Sequence, residues 1–275
     1  MRALGLVPIS SIIGGKSANV HLARIIDRCT GMHVTLLNIR HGGGHRAQSL
    51  LDWLTSSIPD VIVLPEWRNN ASGDLIKKGL EVKGFHVATA AQANRTSNGI
   101  LLAVKDACQI RRATPEGGKR GELLVANNSA GWTLLAAYFP QGKAKSPFFN
   151  ACIEEAVRSP TAPFLILGDL NTGRNDIDRE GNGVPFVCAD QFDALQTEAG
   201  LFDLWRIEHG KTQEWSWRSR INGFRVDHAL ANAAFRNRFA TVRCLYDHTP
   251  RETGLSDHSA LILKSSAAST EIQFR

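Results

Sequence analysis

A chain of 275 residues that is 43% hydrophobic can bury one large core or two modest ones, and no run approaches the roughly 18 apolar residues a membrane span requires. The formal net charge of +6 favours an anionic partner, but the basic residues are scattered, so a nucleic acid is permitted rather than demanded. Five cysteines (Cys29, Cys108, Cys152, Cys188, Cys244), odd in number and without a CxxC, argue against a disulfide framework or a zinc site and point to a reducing cytoplasm.

Residues 1–32 read as an N-terminal arm or helix ahead of the first strand. Pro8 and the serines interrupt any signal-peptide core, and "GGKS" at 14–17 lacks the glycine that a phosphate-binding loop needs where Ser10 stands. From residue 33 strand-like runs recur: HVTLLNIR, DVIVLPE, GILLAVK, ELLVANN, WTLLAAYFP, PFLILGD, FRVDHALA and SALILK. Each is rich in Val, Ile, Leu or aromatics and bounded by turn formers. RAQSLLDWLTSS places Ala47, Leu50, Leu51 and Leu54 at helical spacing, and SPFFNACIEEAVRS does so with Phe149, Ile153 and Val157. The middle of the chain strings strands together without helices, which suggests two sheets packed face to face with helices outside, in one domain over 33–265 and with a short tail at 266–275.

Polar residues interrupt these runs at their ends. Asn38, Glu66, Tyr138, Asp169 with Asn171, Asp227, and Asp257 with His258 each sit beside an apolar stretch. Singly, each has an ordinary account as a turn former, rim charge or loop residue. Their repetition at strand after strand argues for convergence on one rim.

In order and spacing, NIRHGGG (38–44), LPEW (64–67), YFPQG (138–142), GDLN (168–171), RVDHAL (225–230) and SDH (256–258) resemble the motif set of the endonuclease/exonuclease/phosphatase superfamily. YFPQG and WSW…GFRVD are most similar to the exonuclease III type of abasic-site endonuclease. The resemblance implies the DNase I-like fold, a four-layered α/β sandwich whose two central, mostly antiparallel β-sheets are flanked by helices.

It also implies roles. Hydrolysis of a phosphodiester needs a positioned water, neutralisation of charge on the phosphoryl oxygens and help for the departing alkoxide. By resemblance Glu66 holds Mg²⁺, with Mn²⁺ able to substitute, while Asn38 positions Glu66 or completes the metal shell and Asp257 approaches the metal. Asp169 activates the water, Asn171 donates to a non-bridging oxygen, Asp227 supports a cationic His258, and Tyr138 serves the leaving oxygen.

Substrate-facing candidates are Arg40 and Arg46 around the three-glycine loop, Asn98 before GILLAVK, Arg174 in the polar loop NTGRNDIDREGNG, and Trp215 and Trp217 in EWSWRSR. For each an ordinary reading stands beside the functional one: a flexible turn, a solvated loop, hairpin packing. Departures from the pattern are Pro65 and Trp67 on either side of Glu66, and His41 and His45, which lack a third metal ligand. The expected function is a nuclease acting on DNA, without a membrane or an obligate protein partner. The alternatives are the same chemistry on RNA, nucleotides or phospholipid head groups, and a non-catalytic nucleic-acid-binding protein.

Overall fold

The computed structural model describes residues 31–91, 94–181, 183–239 and 241–266. Nearly all of the expected N-terminal arm, with its GGKS and Cys29, and of the C-terminal tail lies outside these residues, while Met32 at the arm's end is buried in the core. Strands β1 (His33–Leu36), β2 (Val61–Trp67), β3 (His86–Ala90), β4 (Gly99–Val104), β13 (Thr241–Asp247) and β14 (Ala260–Ser266) form one sheet in the order β13-β14-β1-β2-β4-β3. Strands β5 (Cys108–Arg112), β6 (Glu122–Asn128), β7 (Thr133–Tyr138), β8 (Phe164–Asp169), β9 (Phe202–Asp203) and β12 (Asp227–Ala231) form the other, in the order β5-β6-β7-β8-β12-β9. A small hairpin, β10 (Trp217–Arg218) with β11 (Gly223–Phe224), stands apart.

Each sheet is antiparallel except for one central parallel pair, β1 with β2 and β7 with β8. A parallel pair requires a crossover, supplied by helix α1 (Ala47–Ser56) in the first sheet and α3 (Ser146–Val157) in the second. Helix α2 (Ala71–Val82) joins α1 on the outside of the first sheet, and α4 (Ala189–Thr197) joins α3 on the second.

Period-two alternation explains the layering. Val61 and Val63 point into a core shared by the sheets, meeting Leu134, Ala136, Leu165 and Leu167, while Ile62 and Leu64 point outward to Leu50, Leu54, Ile76 and Leu80 of the helices. A strand covered on both faces must be apolar throughout, and this is why the central strands stand out as unbroken runs. Asn70 caps α2 by accepting from the Gly73 N–H at 3.1 Å, a contact worth about 0.5–2 kcal/mol.

Two expectations change. Helix α3 buries Phe148, Phe149, Cys152, Glu155 and Ala156, whereas Val157 is 50% exposed. The face therefore runs through 149, 152 and 156 rather than 149, 153 and 157, because the paired phenylalanines pull it toward the aromatic cluster with Phe139. Strands β3, β5, β9 and β13, absent from the sequence expectation, are the four sheet edges.

Candidate active site

The carboxyl ends of the parallel strands meet at one rim. Asn38 follows β1, Glu66 lies near the end of β2, and Tyr138 and Asp169 close β7 and β8. The antiparallel neighbours begin where these end, so β12 opens with Asp227 directly opposite Asp169, and His258 precedes β14.

Asp169 is 1% exposed. Its Oδ2 accepts from Asn38 Nδ2 at 2.9 Å and its Oδ1 from the Asn171 N–H at 2.9 Å. Burial, and then the charge of Asp227, push this carboxyl above the usual carboxylate range, with His258 offsetting part of the rise. His258 Nδ1 lies 2.8 Å from Asp227 Oδ2. Burial alone would lower the His258 pKa, but the Asp227 charge and hydrogen bond override it and raise it to about 9, so the imidazole is a cation at neutral pH. Asp227 Oδ1 is buried and has no hydrogen-bond partner among the described residues.

The backbone of Asp227 is clamped from two sides. Its N–H donates to Ser216 Oγ at 3.1 Å, and its carbonyl accepts from the Tyr246 hydroxyl at 2.6 Å. Two residues upstream, Arg225 is fully buried, pairing with Asp178 at 2.7 Å and Asp203 at 2.6 Å while its guanidinium lies over the Trp205 ring. Ser256 Oγ donates to the Asn38 carbonyl at 2.5 Å and accepts the His258 N–H at 3.1 Å, tying the SDH segment to the end of β1.

Glu66 reaches the rim differently. A bulge between Pro65 and Trp67 breaks the β2–β4 register, and Glu66 adopts a φ of 62°, a conformation that lifts its side chain out of the ladder. Its Oε2 accepts the His41 N–H at 2.8 Å. The loop that supplies this donor has five consecutive positive φ values, Arg40 through Gly44, for which the three glycines are suited. Beyond it, Arg68 donates to Asn98 Oδ1 at 2.7 Å, and Asn98 Nδ2 to the Tyr138 hydroxyl at 3.3 Å. Burial first, then the Glu66 charge, raise the Tyr138 phenol above its ordinary pKa, which keeps it a neutral donor.

Of the sequence candidates, Arg40, Glu66, Asp169, Asn171, Trp217, Asp257 and His258 line one pocket. Asn98 reaches the pocket wall through His41, whose Nδ1 lies 3.5 Å from its Nδ2, and bonds Tyr138 in turn, while Asn38 and Asp227 touch the lining residues Asp169 and His258. Asn38 contacts Asp169 and the Arg40 N–H rather than Glu66. Trp217 donates to Asp257 Oδ2 at 3.2 Å, and Arg40 stands 3.9 Å from the same oxygen.

Three candidates are elsewhere. Arg46 spends its guanidinium on the carbonyls of Ile39, Arg40 and Leu255, stapling the glycine loop. Arg174 pairs with Asp176 at 3.2 Å. The Trp215 ring lies so close to Gly223 that any side chain there would collide with it, so it serves hairpin packing. The polar loop is also more than solvated surface, for it carries the buried Asp178.

Sequence reasoning missed Lys145, Gln141 and the wall formed by Val184, Pro185, Phe186 and Val187. The wall follows the polar loop as a four-residue apolar stretch with no periodicity to mark it.

The donor chemistry suits a hard divalent cation: Glu66 and Asp257 bring carboxylate oxygens to the pocket wall. Asp169, Asp227 and His258 also offer ligand atoms within 4.8 Å of one another, a second grouping able to hold a cation. Four cysteines stand unpaired among the described residues, and among them no helix is long and apolar enough to cross a membrane.

Known structures share this architecture. A 3′-5′ exonuclease, NExo from Neisseria meningitidis, superposes with a TM-score of 0.73 at 21% identity, covering 86% of this chain and 100% of its own. NExo from Neisseria, described as a 3′ phosphatase bound to product DNA hairpin, gives 0.72 at 21% identity over 86% and 99%. An AP endonuclease from Archaeoglobus fulgidus gives 0.70 at 18% identity over 84% and 98%. The model of the Endonuclease/Exonuclease/phosphatase family matches residues 36–258, a span that contains every residue of the rim just described. By that match, the chain belongs to the endonuclease/exonuclease/phosphatase family.

Proposed function

We propose that the protein is a metal-dependent phosphoesterase that hydrolyses DNA, as an abasic-site endonuclease or a 3′ exonuclease. The observation that carries this reading is the buried His258–Asp227 pair set beside Asp169 at the floor of one pocket. A fixed cation there holds an anionic phosphoryl group, and a carboxylate whose proton affinity is raised suits proton abstraction from water near neutral pH.

In this reading Asp169, oriented by Asn38, takes the proton of the attacking water. Asn171 donates to a non-bridging oxygen, His258 neutralises the phosphoryl group, and Tyr138, held by Asn98, gives its proton to the leaving oxygen. Glu66 and Asp257 would hold Mg²⁺, or Mn²⁺ in its place, and the ion when bound supplies further charge neutralisation at phosphorus. DNA as substrate is supported by the net positive charge and by the apolar wall with Trp217 and Phe224, which suits a sugar or base. The similar AP endonuclease and exonuclease structures lend the same reading weight. Unpaired cysteines fit a reducing cytoplasm.

The test is incubation of labelled plain duplex, abasic duplex, single strand and RNA with Mg²⁺ and with chelator. Cleavage of abasic or recessed-end duplex that chelator abolishes is expected. Intact DNA alongside hydrolysed small phosphate esters would overturn the assignment.

A further inference from the structure

Lys145 ends the short 3₁₀ turn Gly142–Lys145 that follows YFPQG and leads into α3. Its side chain is 2% exposed, yet it lines the same pocket as Asp169, Asn171 and His258. The ammonium donates to the Asn171 carbonyl, and among the described residues it has no other acceptor and forms no ion pair. An ammonium carries three donors, so two lack a protein partner.

Arg225, buried to the same degree, has two carboxylates against it. The difference matters because a buried charge without a counter-ion is costly, and its pKa records this: burial lowers it, with Cys188 and Asp169 offsetting only part. An anion from outside the chain would complete the set.

We infer that Lys145 holds the second negative charge of a terminal phosphomonoester and so sets the preference for a phosphate-ended strand over an internal phosphodiester. This rests on the phosphoesterase reading above. A diester carries one negative charge, which His258 matches; a monoester at pH 7 carries about 1.5 to 2. Lys145 contacts Asn171, the residue assigned to a phosphoryl oxygen, so a second charge on the same phosphoryl group comes within its reach. In the step itself a water oxygen bonds to phosphorus as Asp169 takes its proton, the phosphorus–oxygen bond to the sugar breaks, and the departing alkoxide takes the proton of Tyr138. The products are inorganic phosphate and a strand hydroxyl.

The experiment compares wild type with Lys145→Met and Lys145→Gln on a 3′-phosphate-ended duplex and on an abasic duplex, both with Mg²⁺. Calorimetric titration of each protein with inorganic phosphate accompanies it. The ratio of kcat/KM for the phosphate end over the abasic site is expected to fall about tenfold or more in both variants, with a parallel loss of phosphate affinity, the size of one charge-assisted contact. Equal losses on the two substrates with unchanged phosphate binding would mean that Lys145 only positions Asn171, and the inference would be wrong. Should Lys145→Met fail to fold, Lys145→Gln reads the same ratio. If wild type cleaves no nucleic acid, the phosphoesterase reading fails on its own, and phosphate binding that does not depend on Lys145 overturns the anion site as well.

Discussion

The two sheets bring their residues to the rim by opposite means. The second sheet supplies Asp169 and Asp227 from inside paired strands, in direct register, 1% exposed and hydrogen-bonded to their surroundings. The first supplies Glu66 from a bulge with positive φ and surrounds it with a left-handed glycine loop, leaving its carboxylate in contact with solvent. A dry, registered pair fixes distance and proton affinity. A partly exposed carboxylate on a bulge can exchange its ligands with water, as a cation site must. One half therefore supplies preorganised electrostatics and the other an open port.

If the second half is rigid because of the ions beneath it, removing them should do most damage. Arg225→Ala takes the guanidinium partner from buried Asp203 and leaves buried Asp178 only that of Arg206, and is expected to lower unfolding free energy by about 3–5 kcal/mol in a urea titration. The same pair gives a pH signature. Burial alone would raise both carboxyls, but the charge and hydrogen bonds of Arg225, joined by His228 and, for Asp178, by Arg206, together outweigh it and hold them below their ordinary range. Their contribution is therefore complete above the unfolded value of about 4 and is lost as pH falls below it. Wild type should lose stability steeply on acidification through that region, and Arg225→Ala should show a shallower slope. Equal slopes would detach the ion cluster from the stability of this half.

Asp169→Asn keeps the shape of the buried pair and removes the proposed base. Turnover is expected to fall by about 10² or more, with DNA affinity barely changed. Glu66→Ala tests the other half: the Mg²⁺ concentration for half-maximal activity is expected to rise at least tenfold, while activity at saturating Mg²⁺ recovers in part. Unchanged metal dependence would move the cation to the Asp169, Asp227 and His258 grouping.

The same contrast governs what the sequence disclosed. Central strands carry apolar residues on both faces, so β1, β2, β4, β6, β7, β8, β12 and β14 were all legible as unbroken runs, and with them the rim residues at their ends. The edge strands were not. TVRCLYD alternates buried with exposed residues and CQIRR partly buried with exposed ones, so neither shows an unbroken apolar run. Among the candidate residues, those on strand ends are the ones the fold gathers at the rim. Arg46, Arg174 and Trp215 take the ordinary contacts open to them, because a guanidinium or ring bonds to whatever the fold brings near: carbonyls for Arg46, Asp176 for Arg174 and Gly223 for Trp215. Lys145 escaped notice because nothing in KAKSPF distinguishes a buried lysine from a solvated one.

The smallest effect separates the two tryptophans. Trp217 lines the pocket, donates to Asp257 and packs on Phe224 with ring centroids 5.9 Å apart. Trp217→Phe keeps a ring against Phe224 and loses the donor, freeing Asp257 to turn toward Arg40. A hydrogen bond to a carboxylate that is 36% exposed is largely replaced by water, so the Michaelis constant for DNA should rise by only about two- to fivefold. Trp215→Phe should leave that constant unchanged and lower thermal stability instead, because its ring packs against Gly223 and away from the pocket. If both changes shifted the Michaelis constant equally, the hairpin would be acting as one unit on substrate, and the distinction drawn from the position of these two rings would be lost.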